Sequence, residues 1–333
     1  MEKRPQKNSY TVGCLFSGIG GFSLAFRKTG FNVLWANDID PHASQVYRYN
    51  YPDILFIEKD VRELTTDLDP VDIITAGFPC QPFSLAGKRE GFDDPRGQLF
   101  FEIIRIVNNF GNSKPKILLL ENVKHLVSHN GGKTFDKILE SIHKTGYWSN
   151  VAILNTKVHT RIPHNRERVF IVALNKDHFD SNEFKFPRIE DHTDPITNYL
   201  DLDHKAGDEF YYDPQDKYGN MLYNAMKNDN TVYQLRRNYV RENKTESVPT
   251  LTAAMGMGGH NIPVIKDNWG IRKLTPQECL RFQGFQDNEF SFPDNLAKSH
   301  KYRLIGNSVT VTLIEKLAQE CLRKLKGEKH VDA

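Results

Sequence analysis

An α/β fold built on a doubly wound sheet, with a smaller irregular domain inserted into it, is what this sequence predicts. Three observations predict it. From Tyr10 to Leu174 short apolar runs alternate with segments of helical period. Two of those runs, Val71 to Ala76 and Ile117 to Leu120, are continuous, as in strands buried on both faces. After Pro187 the alternation stops, and an apolar helix face returns only near the C-terminus.

Each element has its own reason. Val12 to Phe16 is an apolar run entering the glycine loop Ser17-Gly18-Ile19-Gly20-Gly21, a strand meeting a turn. Phe22 to Lys28 continues as a short helix that Gly30 stops. Phe31 to Ala36 is the next strand and ends in the acidic turn Asn37-Asp38-Ile39-Asp40; a further strand precedes Asp60. Leu99, Phe100, Ile103, Ile104, Val107 and Phe110 recur at helical spacing, as do Phe135, Ile138, Leu139 and Ile142. Val151 to Leu154 and Val169 to Leu174 close the sheet. Residues 188–270 are rich in Asp, Asn, Tyr and Lys, and only Val248 to Leu251 and Ile262 to Ile265 read as strands. Ile314, Leu317, Ala318, Cys321, Leu322 and Leu325 mark one face of a last helix, which has no core of its own and is expected to pack back on the first domain. The expected organisation is a first domain of 10–187 and 300–326, an inserted domain of 188–299, and flexible termini at 1–9 and 327–333.

Composition narrows the classes. The chain has 333 residues, 39% hydrophobic and 26% charged, the balance of a soluble protein with a substantial core. No run of about eighteen apolar residues is present, which argues against a membrane-spanning helix. No apolar stretch follows the polar first ten residues, so no secretory leader is expected. Cys14, Cys80, Cys279 and Cys321 lie far apart with no CxxC pair, which disfavours a disulfide scaffold or a zinc site and fits a reducing cytoplasm. The net charge of +2 disfavours a protein that coats a polyanion, while leaving room for a local basic face.

Several loops carry candidate chemistry. In Phe16 to Phe22 the glycines allow close backbone approach to a ligand, and a helix N-terminus follows. Ser23 stands where the dinucleotide pattern GxGxxG has its third glycine, which disfavours a nicotinamide enzyme. Asp38 and Asp60 each follow a strand, where an acid can accept hydrogen bonds from ribose hydroxyls. Together these point to a nucleoside-containing cofactor along the carboxyl edge of the sheet. Gly77-Phe78-Pro79-Cys80-Gln81-Pro82-Phe83-Ser84 holds one cysteine in a loop at a strand end, where a thiolate can be exposed and activated. Leu85 to Gln98, glycine-spaced and charged, has the character of a closing loop. Glu121 ends the next strand beside that cysteine loop, a candidate acid or hydrogen-bond partner. In Arg166-Glu167-Arg168 one guanidinium could face the site and the other pair with Glu167. Taken singly, each has a plain alternative: a tight turn, a buried cysteine, a helix N-terminal acid, a solvated strand end.

In their order they are specific. FSGIGGF, GFPCQPFS, ENV, NRERVFIV, RKLTPQECLRFQGF and GNSV strongly resemble the DNA (cytosine-5) methyltransferases of bacterial restriction-modification systems, over nearly the whole chain from Phe16 to Val309. The resemblance implies a Rossmann-like S-adenosylmethionine-dependent methyltransferase sheet, with residues 188–299 as the target-recognition domain. It implies that Phe16, Gly18, Gly20, Asp38, Ile39, Asp60, Val61, Pro79, Asn307 and Ser308 form the S-adenosylmethionine site. It gives Cys80, Glu121, Arg166 and Arg168 catalytic roles: Cys80 as nucleophile at cytosine carbon 6, Glu121 at the ring nitrogen and amino group, Arg168 on the base carbonyl. Gln81, Ser84, Arg96, Arg236, Arg237, Arg241, Thr250 and Gly256 become candidate DNA contacts. The stretch Gln234 to Lys244, cationic with an interleaved tyrosine, suits phosphate contact and guanine readout. Thr250-Leu251-Thr252 before a glycine-rich stretch resembles the family's recognition segment. The sequence departs from the family at Ile39, where an aromatic is common, at His164, where glutamine is usual, and at Gln286, where proline is usual. The implied activity is methyl transfer from S-adenosylmethionine, leaving S-adenosylhomocysteine, to a cytosine flipped out of a short double-stranded DNA site. No metal is implied. The expected setting is a monomer in the cytoplasm, associated with the nucleoid and paired in function with a restriction endonuclease. A tRNA cytosine methyltransferase would share the fold; the large recognition segment and the basic cluster favour DNA.

Overall fold

The computed structural model describes residues 10–65, 68–79, 98–229, 231–256 and 262–328. They divide into two compact units, one of 1–154, 167–187 and 313–333, the other of 155–166 and 188–312. Residues 300–312, expected with the first domain, cluster with the second unit, as do 155–166.

The first unit opens with β1 (Thr11–Leu15), α1 (Gly21–Lys28) and β2 (Asn32–Asp38). Gly13 in β1 lets Trp35 of β2 lie across it, since a Cβ there would come 2.2 Å from the indole. The segment read as an acidic turn contains a helix start. Asp40 caps α2 (Pro41–Asn50) by accepting from the His42 and Ala43 amides, with Pro41 at the first helical position. β3 (Leu55–Glu58), β4 (Ile73–Gly77), α3 (Leu99–Asn109), β5 (Ile117–Val123), α4 (Lys133–Lys144) and β6 (Tyr147–Asn155) follow. After α5 (Thr156–His159) and β7 (His164–Asn165) of the second unit, β8 (Glu167–Asn175) returns to the sheet.

The sheet order is β3-β2-β1-β4-β5-β8-β6. β1 pairs in parallel with both β2 and β4, and β4 with β5. The chain winds outward from β1 to β3 and then back across β1 to β4. The carboxyl ends of β1 and β4 therefore flank the topological switch point, where open α/β sheets bind ligands. β8 runs antiparallel to β5, so its first residues lie beside the last residues of β5.

Helix periodicity reads correctly. Phe100, Ile103, Ile106 and Val107 of α3 and Phe135, Ile138 and Ile142 of α4 are buried in one cluster with Leu118, Leu120 and Ile171 of the sheet. Each such side chain contributes about 1.5–3 kcal/mol by burial. The last helix, α9 (Val311–Lys326), buries Ile314, Leu317, Ala318 and Cys321. Its Glu315 pairs with Lys28 of α1 at 2.9 Å, and the Leu325 carbonyl accepts from the Tyr10 hydroxyl.

The second unit holds a small sheet among irregular segments. Antiparallel strands β9 (Tyr233–Leu235), β10 (Val240–Glu242), β12 (Pro263–Asp267) and β13 (Gly270–Lys273) form a sheet in the order β10-β9-β12-β13. Leu222 and Met226, on and just after α6 (Lys217–Ala225), pack with Tyr233, Leu235, Val264 and Ile271 on one face of it. β11 (Val248–Pro249) pairs with β7 rather than joining that sheet. α7 (Pro276–Phe282) starts with a reciprocal Thr275–Glu278 capping box, and α8 (Lys298–Asn307) follows.

Candidate active site

At the carboxyl end of β1 the chain turns on three residues with positive φ: Phe16 (51°), Gly18 (54°) and Gly20 (89°). A phenylalanine in that region costs about 1–3 kcal/mol, strain of the kind that gathers at functional sites. The surrounding bonds hold it. The Ser17 amide donates to the Asn37 carbonyl at 2.9 Å, and the Gly18 amide to Asp38 Oδ2 at 2.8 Å. The two glycines differ. A Cβ on Gly20 would lie 2.3 Å from the Tyr51 ring, whereas one on Gly18 would meet nothing within 4 Å. Gly20 is needed for packing behind the loop, and Gly18 leaves the face of the loop open.

Asp38 also accepts from the Asp40 amide, through Oδ1 at 2.9 Å. Burial pushes its carboxyl above the usual carboxylate range, despite these amide bonds. Ile39, next to it, is 63% exposed, a large apolar side chain on the surface beside an acid. Asn37 donates from Nδ2 to the Ile57 and Lys59 carbonyls and so ties the end of β2 to the segment entering Asp60. Asp60 caps the single turn Val61–Glu63 and pairs with Arg62 at 2.5 Å; that guanidinium holds its carboxyl below the usual range. Val61 is buried, and its carbonyl, like that of Leu64, accepts from the Arg105 guanidinium.

The second cluster lies where β4, β5 and β8 meet. Gly77 is opposite Glu121 in the parallel pair, and Val123 is opposite Arg168 in the antiparallel pair. Glu121 and Arg168 thus project from the same sheet edge, and Arg168 Nε meets Glu121 Oε1 at 3.0 Å. Their side chains are only 11% and 15% exposed. Glu121 Oε2 lies 3.5 Å from the position of a Cβ on Gly77, so the glycine leaves the carboxylate room. Asn122 donates from Nδ2 to the Phe78 carbonyl at 3.1 Å, which anchors the strand exit leading through half-buried Pro79 to Cys80. Cys80, Gln81, Ser84 and Arg96 lie outside the described residues. The three described cysteines are buried, and burial pushes the thiols of Cys14, Cys279 and Cys321 up, away from thiolate chemistry.

In the second unit Arg166 is buried and spans three carbonyls. It donates to Leu251 at 2.9 Å, to Ser308 at 2.6 Å and to Gly306 at 3.4 Å. Glu167, the other expected arginine partner, instead pairs its carboxylate with Lys124. Gly306 packs against the Thr252 backbone, where a Cβ would lie 2.2 Å from its carbonyl carbon; Asn307 is exposed and Ser308 is buried. Leu251 is gripped again through its amide, which donates to His164 Nε2 at 3.2 Å. The Thr250 hydroxyl donates to the Asn165 carbonyl. Gly256 (φ 81°) lies against the Tyr302 ring. Arg237 and Arg241 are exposed and Arg236 is half-buried. Arg236, Arg241 and Thr250 line a groove of about 520 Å³ together with Asn165, Gln234, Asn243 and Thr252.

Residues 10–323 match the family C-5 cytosine-specific DNA methylase. The chain belongs to this family. It is 42% identical over 320 residues to the Type II methyltransferase M.Bsp6I of Bacillus sp. (strain RFL6), an alignment covering 94% of this chain and 99% of that one. It is 35% identical to the Type II methyltransferase M.NgoBI of Neisseria gonorrhoeae, over 92% of this chain and 91% of that one. Among solved structures, Spodoptera frugiperda DNMT2 superposes with a TM-score of 0.72 at 22% identity, over 94% of this chain and 100% of the other, a likeness of fold.

The protein is therefore a DNA (cytosine-5) methyltransferase of the Type II kind with a Rossmann-like methyltransferase sheet. Among its described residues no group of three His, Cys, Asp or Glu side chains is placed to hold a metal ion. No described helix is long and apolar enough to cross a membrane. Sequence reasoning gave no role to Asn37, Asn122 and Arg105, which brace strand ends and turns of the first unit, or to His164, which holds Leu251 in the second. Asn122 sits inside the ENV motif and His164 stands where the family usually has glutamine; Asn37 and Arg105 act through carbonyls far along the chain.

Proposed function

We propose that this methyltransferase transfers a methyl group from S-adenosylmethionine to carbon 5 of a cytosine flipped out of a short double-stranded DNA sequence, with Cys80 as nucleophile. In this reading it works as a monomer on cytoplasmic, nucleoid DNA and protects that DNA from a cognate restriction endonuclease. The observation that carries it is the Glu121–Arg168 pair at the carboxyl edge of β5, beside the strand end that leads to Cys80.

The residues of the first cluster fit the cofactor. Asp38 uses one lone-pair site on each oxygen for the Gly18 and Asp40 amides, which leaves capacity to accept from two ribose hydroxyls. Ile39 offers apolar surface for an adenine, Asp60 and Val61 an edge for it, and the open face of Gly18 room for close approach. Phe16, Gly20, Pro79, Asn307 and Ser308 complete the proposed set. S-adenosylmethionine supplies the electrophilic methyl group when bound.

The chain's own residues do the rest. Carbon 5 of cytosine is a poor nucleophile. Addition of the Cys80 thiolate to carbon 6 forms a carbon–sulfur bond and pushes electron density to carbon 5. Glu121 holds the ring nitrogen and amino group, and Arg168 the carbonyl oxygen, where negative charge develops. After methylation, loss of the carbon 5 proton and expulsion of Cys80 restore the aromatic ring. A base stacked in duplex cannot reach such a pocket, so it must leave the helix. Arg166 supports this chemistry through the backbone it braces.

Incubation with cofactor and a duplex library containing 5-fluorocytosine tests the mechanism, because fluorine cannot leave as the proton does. A denaturation-resistant adduct is expected with the native enzyme and none with Cys80→Ser. Absence of an adduct from the native enzyme sinks the reading. Gly18→Ala is expected to cost only about 1–2 kcal/mol of stability for its left-handed backbone. It should nevertheless weaken S-adenosylmethionine binding about tenfold or more by calorimetry, and an unchanged Kd would remove Gly18 from the cofactor site.

A further inference from the structure

The small sheet of the second unit has two different faces. Successive strand residues point to opposite sides, and directly paired residues share a side. Tyr233 and Leu235 of β9 face the apolar cluster with Val240 of β10 and Val264 of β12. Gln234, paired with Arg241, therefore faces the other way, toward the 520 Å³ groove that both line. Arg236 and Asn243, each two residues on, line the same groove.

The polar side chains there are not equivalent. Asn243 donates to the Ser247 carbonyl and accepts from Thr245; Asn165 accepts from Asn155; Thr250 donates to the Asn165 carbonyl. Gln234 is only 8% exposed as a residue, and its carboxamide, which is not among the buried groups lacking a partner, opens onto the groove with no side-chain hydrogen bond to a described residue. An amide that opens onto a groove and is engaged by no internal bond is free to exchange hydrogen bonds with a ligand there. Beside it stand two guanidinium groups. The two donor-only guanidinium groups, with an amide between them that can turn its NH2 the same way, make a wall rich in donors, complementary to the N7 and O6 acceptors on the major-groove edge of guanine.

We propose that Gln234 is a specificity-determining residue that reads the major-groove edge of one guanine in the DNA target, between Arg236 and Arg241. This rests on the DNA-methylating reading above and deepens it by assigning one base to one side chain.

Genome-wide mapping of methylcytosine in a methylation-free host carrying the native enzyme, Gln234→Leu or Gln234→Glu tests it. The native enzyme should modify one consensus containing a guanine at a fixed position. Gln234→Leu should keep the consensus elsewhere but lose discrimination at that position by about tenfold or more, and its Tm should not fall, since no internal bond is removed. Gln234→Glu keeps the shape but replaces a donor by an acceptor, and should disfavour that guanine. Variants that methylate the native consensus with unchanged discrimination at every position, or that lose methylation evenly at all sites, overturn the assignment. No methylcytosine from the native enzyme would instead overturn the DNA-methylating reading, and this inference with it.

Discussion

Glu121→Gln should lower kcat for methylation of duplex DNA by about 100- to 1,000-fold, the range for removal of one preorganised charge-stabilising group. The substitution keeps the side chain's volume and its site at the end of β5, opposite Gly77. What it removes is a carboxylate 3.0 Å from Arg168 Nε, both groups largely shielded from solvent. Two effects then act together. In the proposed reaction the ring nitrogen of the base loses its charged partner, and Arg168 loses the carboxylate that fixes its direction. In a shielded site neither is replaced cheaply by water. DNA affinity, set by contacts elsewhere, should change less than about threefold. Single-turnover kinetics against binding isotherms would separate the two, and a kcat within a few-fold of the native value would remove Glu121 from the reaction.

A comparably large effect on stability is expected at Arg272. Its side chain is fully buried, with Nη2 at 2.8 Å from Glu278 and Nε at 2.6 Å from Asp267, both acids also buried. The Asp201 carbonyl takes a further bond. Arg272→Met leaves two buried carboxylates without their cation, a loss of about 3–5 kcal/mol and a fall in Tm on the order of 10 °C. The acids are committed in turn. Glu278 closes the capping box of α7, and Asp267 accepts from the Trp269 and Gly270 amides at the β12–β13 turn. Neutralising both acids in the same protein, as Glu278→Gln with Asp267→Asn, should recover much of the loss if uncompensated charge is its cause. No recovery would assign the loss to packing.

What was legible in the sequence follows from how local each signal is. The glycine loop, the strand ends at Asp38 and Glu121, and the helix faces of α3 and α4 are set by residues within a few positions of one another. Asp40-Pro41 also carried a local signal, an N-cap followed by proline, but next to Asp38 it read as part of an acidic turn. The strands β9 and β10 are three residues long, too short for alternation to stand out in a polar stretch. Gln234 consequently read as one member of a basic cluster rather than as the buried residue it is. The two arginines of the Arg166-Glu167-Arg168 run read as one facing the site and one paired with Glu167. In the structure they take unlike partners, three carbonyls for Arg166 and a carboxylate for Arg168.

The sequence by itself determined the kind of fold and the kind of chemistry, because both rest on contiguous motifs whose backbone needs are local. It also singled out Cys80, a cysteine in a glycine- and proline-fixed loop. Only the tertiary structure decided which groups meet. The antiparallel return of β8 brings Arg168 to Glu121, and the pairing of β9 with β10 turns Gln234 and Arg241 to one face. Those meetings depend on strand direction and register, which long-range packing sets and no short stretch of residues encodes.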